Sequence, residues 1–144
     1  MINNLTRLIT VFVLIAGSPA VMATPFDGSK PLVCAAQNVS QCDAGADCIS
    51  VTPESVNLPD LFIVDAGRKV IKATPESGSD RTTKIERSES LDGKLMLQGA
   101  DEGIEDIQDG LGWTMAIDEE TGKLVFSASG DGFAIVVFGA CTVR

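Results

Sequence analysis

Four cysteines constrain the fold of this chain more than any other feature of its sequence. Cys34, Cys42 and Cys48 lie close together, whereas Cys141 lies near the other end. The N-terminal segment favours export, and an even number of cysteines in an exported chain predicts two disulfides, for which three pairings exist. The segment between Cys42 and Cys48 has the composition of a turn, so we favour that pair, which leaves Cys34 with Cys141. A zinc site is disfavoured because the chain has no C-x-x-C spacing.

The N-terminal segment has the pattern of a secretory signal peptide. Arg7 is its one charged residue, Leu8–Ile15 is almost entirely apolar, and the small residues Val21 and Ala23 suit signal peptidase. This apolar run is shorter than the about 20 residues that a membrane-spanning helix needs. We therefore predict cleavage after Ala23, no membrane span after cleavage, a periplasmic or secreted location, and a single β domain over residues 24–144.

The chain is strongly acidic and contains no histidine. Its formal charge of -9 includes Arg7, the one charged residue before position 24, so cleavage changes the charge to -10. A field of that sign repels nucleic acid and attracts basic proteins or cations. The absence of histidine excludes Ser-His-Asp and Cys-His hydrolases as well as histidine-ligated zinc. These two properties favour a binding protein over an enzyme.

Alternation of apolar and polar residues predicts strands along most of the mature chain. The alternation is clearest in Leu111–Asp118, where Trp113 lies on the apolar face. Lys123–Ala128 returns after a turn, and Phe133–Val143 is apolar on both faces, which predicts a central strand covered on both sides. Further strands are expected at Leu32–Gln41, Cys48–Val51, Leu61–Asp65, Lys69–Ala73 and Leu95–Gln98.

Turn-forming and charged residues divide these strands. Gly67 is expected to adopt a positive φ in the three-residue loop between Asp65 and Lys69. Thr74–Asp80 has the composition of a mobile loop that does not pack. Arg81–Ser90 alternates charged and hydroxyl residues, which is typical of an exposed or edge strand protected by charge. An Asp-Gly turn follows at residues 92–93.

The order of these segments predicts an all-β fold, an antiparallel meander of about eight to nine strands. A disulfide from the first strand to the last favours a closed or nearly closed small barrel with that bond at its seam; a two-sheet β-sandwich is the alternative. A barrel of about eight strands is filled by side chains or holds one small ligand. The inward-facing Trp113 is expected either in the core or in the wall of a ligand cavity. The charge on Arg81–Ser90 disfavours pairing of edges, so we expect a monomer.

One loop concentrates acidic residues. Its carboxylates are those of Asp101, Glu102, Glu105, Asp106 and Asp109. Such a loop could bind calcium, which takes six to eight oxygen ligands. The spacing does not match an EF-hand because Gly103 occupies the third position, and a solvated acidic connection is the alternative. Other acids, including Asp118, lie in turns where solvation is expected to leave the pKa at its ordinary value.

Several short motifs support a resemblance that covers nearly all of the mature chain. The motifs include Cys34, Cys42 and Cys48, followed by Asn57-Leu58-Pro59, Val64-Asp65, Gly112-Trp113, Thr121-Gly122-Lys123 and Phe138-Gly139-Ala140-Cys141. The pattern resembles small exported proteins of proteobacteria that carry no assigned activity. The resemblance implies a periplasmic location and supplies no mechanism.

A second resemblance concerns the turn before the last strand. Ser127, Ser129 and Gly130 are similar to the Ser/Gly-rich hairpin that periplasmic inhibitors of C-type lysozyme, small disulfide-closed β-barrels, insert into the lysozyme cleft. Asp131 stands where a basic residue would be wanted, and Phe133 replaces the family's tyrosine. The resemblance implies a partner-binding loop formed by these five residues. Independently, the negative charge would steer the protein toward basic lysozymes.

These observations together predict an exported, non-enzymatic binding module without a cofactor. A basic protein or a small ligand is the expected partner. The alternatives are a lysozyme-type hydrolase inhibitor, a small-ligand carrier, and an enzyme that depends on carboxylates or calcium. A hollow barrel around Trp113 would favour the ligand carrier.

Overall fold

The structure, a computed structural model, describes residues 24–103 and 109–144. Helices in these residues are limited to two 3-10 turns, Glu54–Val56 and Pro75–Ser77, so the all-β prediction is confirmed. The strands are β1 (Leu32–Asp43), β2 (Ile49–Val51), β3 (Leu61–Asp65), β4 (Val70–Ala73), β5 (Thr82–Lys84), β6 (Arg87–Leu91), β7 (Lys94–Asp101), β8 (Leu111–Asp118), β9 (Lys123–Gly130) and β10 (Phe133–Val143). The predicted signal peptide, residues 1–23, lies outside the described residues.

The strands form one curled antiparallel sheet in the order β5-β4-β3-β1-β10-β9-β8-β7-β6, and β2 pairs with β1 beside this path. The two end strands, β5 and β6, are consecutive in the chain. The sheet must therefore curl until its ends meet, which produces a half-barrel shape. A single curled sheet agrees with the barrel expectation and not with the two-sheet sandwich.

The chain passes from one end of the sheet to the other at Ile85 and Glu86. The N–H of Ile85 donates to the carbonyl oxygen of Lys69 at 2.9 Å, whereas the N–H of Glu86 donates to the carbonyl oxygen of Gln98 at 2.8 Å. Ile85 is fully buried. The predicted edge strand at Arg81–Ser90 is thus two strands, β5 and β6, and its one central apolar residue anchors the crossing in the core.

Both predicted disulfides are confirmed. Cys34 pairs with Cys141 and Cys42 pairs with Cys48. Cys34 and Cys141 are directly opposite each other in the β1–β10 ladder, so the bond joins the first and last strands of the meander. That ladder is continuous from Leu32 to Asp43 apart from one bulge between Ala36 and Asn38. The disulfide therefore reinforces a hydrogen-bonded junction, and the gap in the sheet lies elsewhere, between β5 and β7.

The core occupies the inner face of the curled sheet. Alternation places Trp113, Met115 and Ile117 on that face of β8, where all three are buried as predicted. The larger cluster of buried residues comprises Leu32, Cys34, Phe62, Val64, Ile71, Ile85, Leu95, Leu97, Trp113, Met115, Ile117, Leu124 and Ala128. A smaller cluster contains Val39, Ile135 and Val137, with side chains from the segment after β2 packed against it.

The outer face of β10 differs from its prediction. Ile135 and Val137 are buried inside, but Phe138 points outward and is 50% exposed. Its direct neighbour across the ladder, Val125, is 43% exposed. A curled single sheet has only one interior, and in the described residues no second layer covers the outer side. The expectation that this strand is covered on both sides is therefore wrong.

Two loops also differ from expectation. Lys69, and not Gly67, adopts the positive φ of the β3–β4 connection, at 56°. The segment expected to be an unpacked loop contains the Pro75–Ser77 3-10 turn, and Thr74 at its start is buried. The Thr74 N–H donates to the carbonyl oxygen of Leu61 at 3.0 Å, so backbone bonding ties this polar segment to β3. The Asp92-Gly93 turn forms as predicted, with φ values of 50° and 71°.

Candidate ligand cavity

Trp113 is the central side chain of the inner face near the junction of β5 and β7. It is 4% exposed, and its indole Nε1–H donates to Oγ1 of Thr83 at 3.2 Å. Gly99 on β7 is its direct cross-strand partner, and a Cβ there would overlap both the indole ring and the carbonyl oxygen of Lys84. The glycine therefore allows Trp113 to lie flat over β7 while β5 approaches closely. Phe126 lies beside the indole with ring centroids 6.1 Å apart.

A cavity of about 100 Å³ adjoins this tryptophan. It takes its walls from both core clusters and from the segment after β2. Its apolar lining residues include Ala36, Val56, Leu58, Pro59, Phe62, Ile71, Ala73, Leu111, Trp113, Met115, Phe126, Ala128, Ile135 and Val137. An apolar cavity between two packed clusters can receive an apolar group without loss of any hydrogen bond.

The charged residues of the lining are Lys72, Arg81 and Asp101. Arg81 and Asp101 form an ion pair where the cavity meets solvent, and we call them the mouth pair. The guanidinium Nη2 of Arg81 bonds to Oδ2 of Asp101, and both side chains are about one-third exposed, at 34% and 31%. Nη1 of Arg81 donates to the carbonyl oxygen of Asn57 at 2.8 Å. The mouth pair thus connects the start of β5, the end of β7 and the segment that covers the cavity.

Side chains, and little backbone, hold β5 against β7, and we call this junction the seam. Thr83 Oγ1 donates to the carbonyl oxygen of Ala100 at 3.4 Å and accepts the bond from Trp113. The mouth pair lies next to this contact, and the Glu86 bond to Gln98 marks the other end of the seam. β5 forms its backbone ladder with β4 instead. The cavity and the seam therefore share Trp113, Thr83 and the mouth pair.

The sequence did not reveal the mouth pair. By sequence, Asp101 belongs to the acidic loop and Arg81 is one of several charges on the predicted edge strand. The two residues are 20 positions apart and meet because the sheet curls, which no local pattern encodes. The alternating pattern of β8, by contrast, was enough to place Trp113 on the inner face.

The proposed calcium loop is only partly described by the structure. Asp101 faces Arg81, Glu102 is exposed, and Glu105 and Asp106 lie outside the described residues. Asp109 lies at the far end of the same connection, next to Gly103. Within residues 24–103 and 109–144, no group of three or more acidic, histidine or cysteine side chains could hold a metal ion. Calcium binding by this loop stays a prediction.

The proposed partner-binding hairpin does not present its residues as one group. Ser127 and Ser129 are on the outer face of β9, and the Ser127 hydroxyl is 2.9 Å from that of Thr114. Phe133 points inward, packs against the smaller core cluster and contacts Gly130. Asp131 remains at the turn itself. Insertion of this hairpin into a lysozyme cleft stays a prediction.

One turn carboxylate departs from the expected ordinary pKa. The Lys94 ammonium lies 3.0 Å from Oδ2 of Asp118 and lowers the pKa of that carboxyl, and hydrogen bonds from the N–H and hydroxyl of Thr121 lower it further. The same bond raises the pKa of Lys94. Asp118 thereby fastens the β8–β9 turn to β7. Asp118 is not among the residues that line the cavity.

Comparisons with known proteins provide no family assignment. No family model, no curated protein and no solved structure matches the chain. Among the described residues, no helix is long and apolar enough to cross a membrane. The geometry of the cavity and the chemistry of its lining therefore carry the functional argument.

Proposed function

We propose that this protein is an exported binding module that takes the apolar part of a small ligand into the cavity beside Trp113. The observation that carries the proposal is the cavity itself, about 100 Å³ of space lined almost entirely by apolar side chains. The signal-peptide pattern of residues 1–23 and the two disulfides support export to an oxidising compartment such as the periplasm.

The size of the cavity limits the ligand. An engineered apolar cavity of about 150 Å³ binds benzene, so this smaller space suits a short alkyl group of roughly four or five carbons. Burial of about four methylene groups at ~0.8 kcal/mol each contributes about 3 kcal/mol. Binding of such a fragment is therefore expected with a dissociation constant of several millimolar or weaker, since a constant of about 1 mM already requires a binding free energy of about -4 kcal/mol. A larger natural ligand would gain affinity from contacts outside the mouth.

The protein contains its own reporter for this test. Trp113 is the single tryptophan and there is no tyrosine, so intrinsic fluorescence reports on the cavity wall. Titration with 1-pentanol should shift the Trp113 emission in a saturable way and raise the thermal unfolding midpoint. Absence of both changes, for 1-pentanol and for benzene, would refute the proposal.

A matched pair of variants locates the binding site. Ala128→Val adds two methyl groups to a cavity-lining residue that directly opposes Trp113, and it should weaken binding at least about tenfold. Ala116→Val adds the same groups on the outer face of the neighbouring strand and should leave binding unchanged. Near-ultraviolet circular dichroism verifies that both variants retain the fold. Equal affinities of the two variants would place the ligand elsewhere.

The exposed outer face supports a second candidate, docking of a basic protein. Val125 and Phe138 form an exposed apolar pair, and the charge of -10 predicted after signal cleavage would attract a basic partner. Basic lysozymes are a suitable panel, assayed by retention on the immobilised protein at low and high salt. Salt-sensitive retention that Phe138→Ser weakens would support this role, and retention unchanged by Phe138→Ser would remove the outer face as the docking site.

A further inference from the structure

We propose that the mouth pair selects the chemical class of the ligand: an amphiphile whose apolar end fills the cavity and whose polar end is uncharged. This inference rests on the proposed ligand-binding function and extends it from size to head-group chemistry. A ligand that enters the apolar cavity leaves its polar end at the mouth, where the ion-paired side chains of Arg81 and Asp101 lie. Among the described residues, Lys72 is the third charged member of the lining, but it is exposed and alternates with the buried Ile71 on β4, so its side chain lies on the opposite face of the strand. These two side chains therefore decide which head groups are accepted.

The mouth pair is electrically balanced and already hydrogen-bonded. Arg81 uses one guanidinium nitrogen for Asp101 and another for the carbonyl oxygen of Asn57. A guanidinium carries five N–H donors and a carboxylate about four acceptor positions, so each partner retains capacity for one more bond. With both side chains about one-third exposed, that capacity can be reached from solvent. A hydroxyl or amide can donate to Asp101 and accept from Arg81 at the same time.

Charged head groups meet opposition at this mouth. A carboxylate would have to compete with Asp101 for Arg81 and would face a like charge within the same site, which is unfavourable where water is partly excluded. The acidic charge of the whole chain adds a longer-range repulsion. An ammonium group would be drawn to Asp101 but would lie against Arg81. Only an uncharged head group can use both partners without breaking the ion pair.

The test compares four five-carbon ligands in two pairs with equal apolar tails: 1-pentanol with pentylammonium, and pentanamide with pentanoate. Each is titrated into the full-length mature protein at pH 7, with Trp113 emission as the readout and 1-pentanol displacement as the confirmation of a shared site. Pentanol should bind at least about tenfold more tightly than pentylammonium, and pentanamide at least about tenfold more tightly than pentanoate. Equal affinity for all four, or a preference for pentanoate, would overturn the inference while leaving the cavity function intact.

Variants of the mouth pair provide a charge cycle. Asp101→Asn leaves Arg81 without its counter-charge and should increase pentanoate affinity at least about tenfold, whereas Arg81→Gln should do the same for pentylammonium. The double variant restores neutrality and should again prefer the uncharged ligands. Unchanged selectivity in both single variants would contradict the proposal. If a single variant does not fold, the comparison of the four ligands with the wild type is sufficient by itself. Failure of all four ligands and of benzene to bind would instead refute the proposed function.

Discussion

The β1–β10 ladder and the β5–β7 seam close the same curled sheet in different ways. Backbone bonds join β1 to β10 from Leu32 to Asp43, and the Cys34–Cys141 disulfide adds a covalent link. At the seam, side chains of Arg81 and Thr83 reach β7 or its end, while the β5 backbone pairs with β4. The cavity adjoins the seam and not the disulfide. The space for a ligand therefore lies beside the closure that depends on side-chain contacts, and not beside the closure made by a backbone ladder and a disulfide.

Among the substitutions that test this comparison, removal of the Cys34–Cys141 disulfide should cause the largest loss of stability. In the chain-entropy model a loop of 107 residues contributes about 5 kcal/mol, against about 2 kcal/mol for the six-residue Cys42–Cys48 loop. The Cys34→Ala, Cys141→Ala double variant should therefore lose about 5 kcal/mol of unfolding free energy in a denaturant titration. The matched control removes Cys42 and Cys48. A larger loss of unfolding free energy in the control would show that the Cys34–Cys141 disulfide is not the main covalent stabiliser of the ladder.

Gly99→Ala should be the most damaging single methyl addition at the seam. The new Cβ overlaps the Trp113 ring and the Lys84 carbonyl oxygen, so either the indole or β5 must move, at a cost of about 2 to 3 kcal/mol. Gly112→Ala, on the adjacent strand, is the control because its Cβ would meet no atom within 4 Å. Thermal unfolding and the Trp113 emission spectrum measure the two effects. Equal tolerance of both substitutions would contradict the close approach of β5 to β7.

Thr83→Val should weaken the seam, because valine has nearly the same shape as threonine but lacks the hydroxyl group. The substitution leaves the nearly buried Trp113 N–H without its acceptor and removes the bond to Ala100, which is expected to cost about 1 to 2 kcal/mol. Thr82→Val is the control on the same strand, since Thr82 is exposed. Chemical denaturation measures the difference between the variants. If Thr82→Val destabilises the protein as much, the Thr83 hydroxyl does not hold the seam.

The smallest effect is expected at Asp118, at the end of β8 before the turn to β9. Because its pKa is lowered in the folded protein, the stability it contributes is fully present above its ordinary pKa of 3.8 and is lost as the pH falls below that value. Asp118→Asn should therefore be less stable than the wild type at pH 6, and the difference should shrink between pH 4 and lower pH. Unfolding midpoints measured across this range give the comparison. A difference independent of pH would exclude the Lys94 interaction as its cause.

The sequence predicted the ladder side of the molecule better than the seam side. Period-two alternation placed Trp113 on the inner face of β8, and the cysteine spacing led to the correct pairs. Both signals are local or covalent. The seam depends on the curl of the whole sheet, which no local pattern encodes. The charged pattern of residues 81–90 therefore does not predict that the chain passes between the two ends of the sheet at Ile85, or that Arg81 pairs with Asp101. The prediction that the last strand is covered on both sides is wrong for a different reason. An exposed apolar residue such as Phe138 cannot be distinguished by its sequence pattern from a buried one.

Hydrogen exchange with and without 1-pentanol compares the stability of the two closures and the effect of a ligand on each. In the free protein, the Glu86 amide at the seam should exchange faster than the amides of the β1–β10 ladder, because fewer backbone bonds hold it. Saturation with 1-pentanol should slow exchange at Glu86 and its neighbours, since the ligand fills the cavity that adjoins the seam. Seam amides that are as protected as the ladder amides in the free protein, or whose exchange the ligand leaves unchanged, would show that the seam is not the weaker closure or that the ligand does not bind beside it.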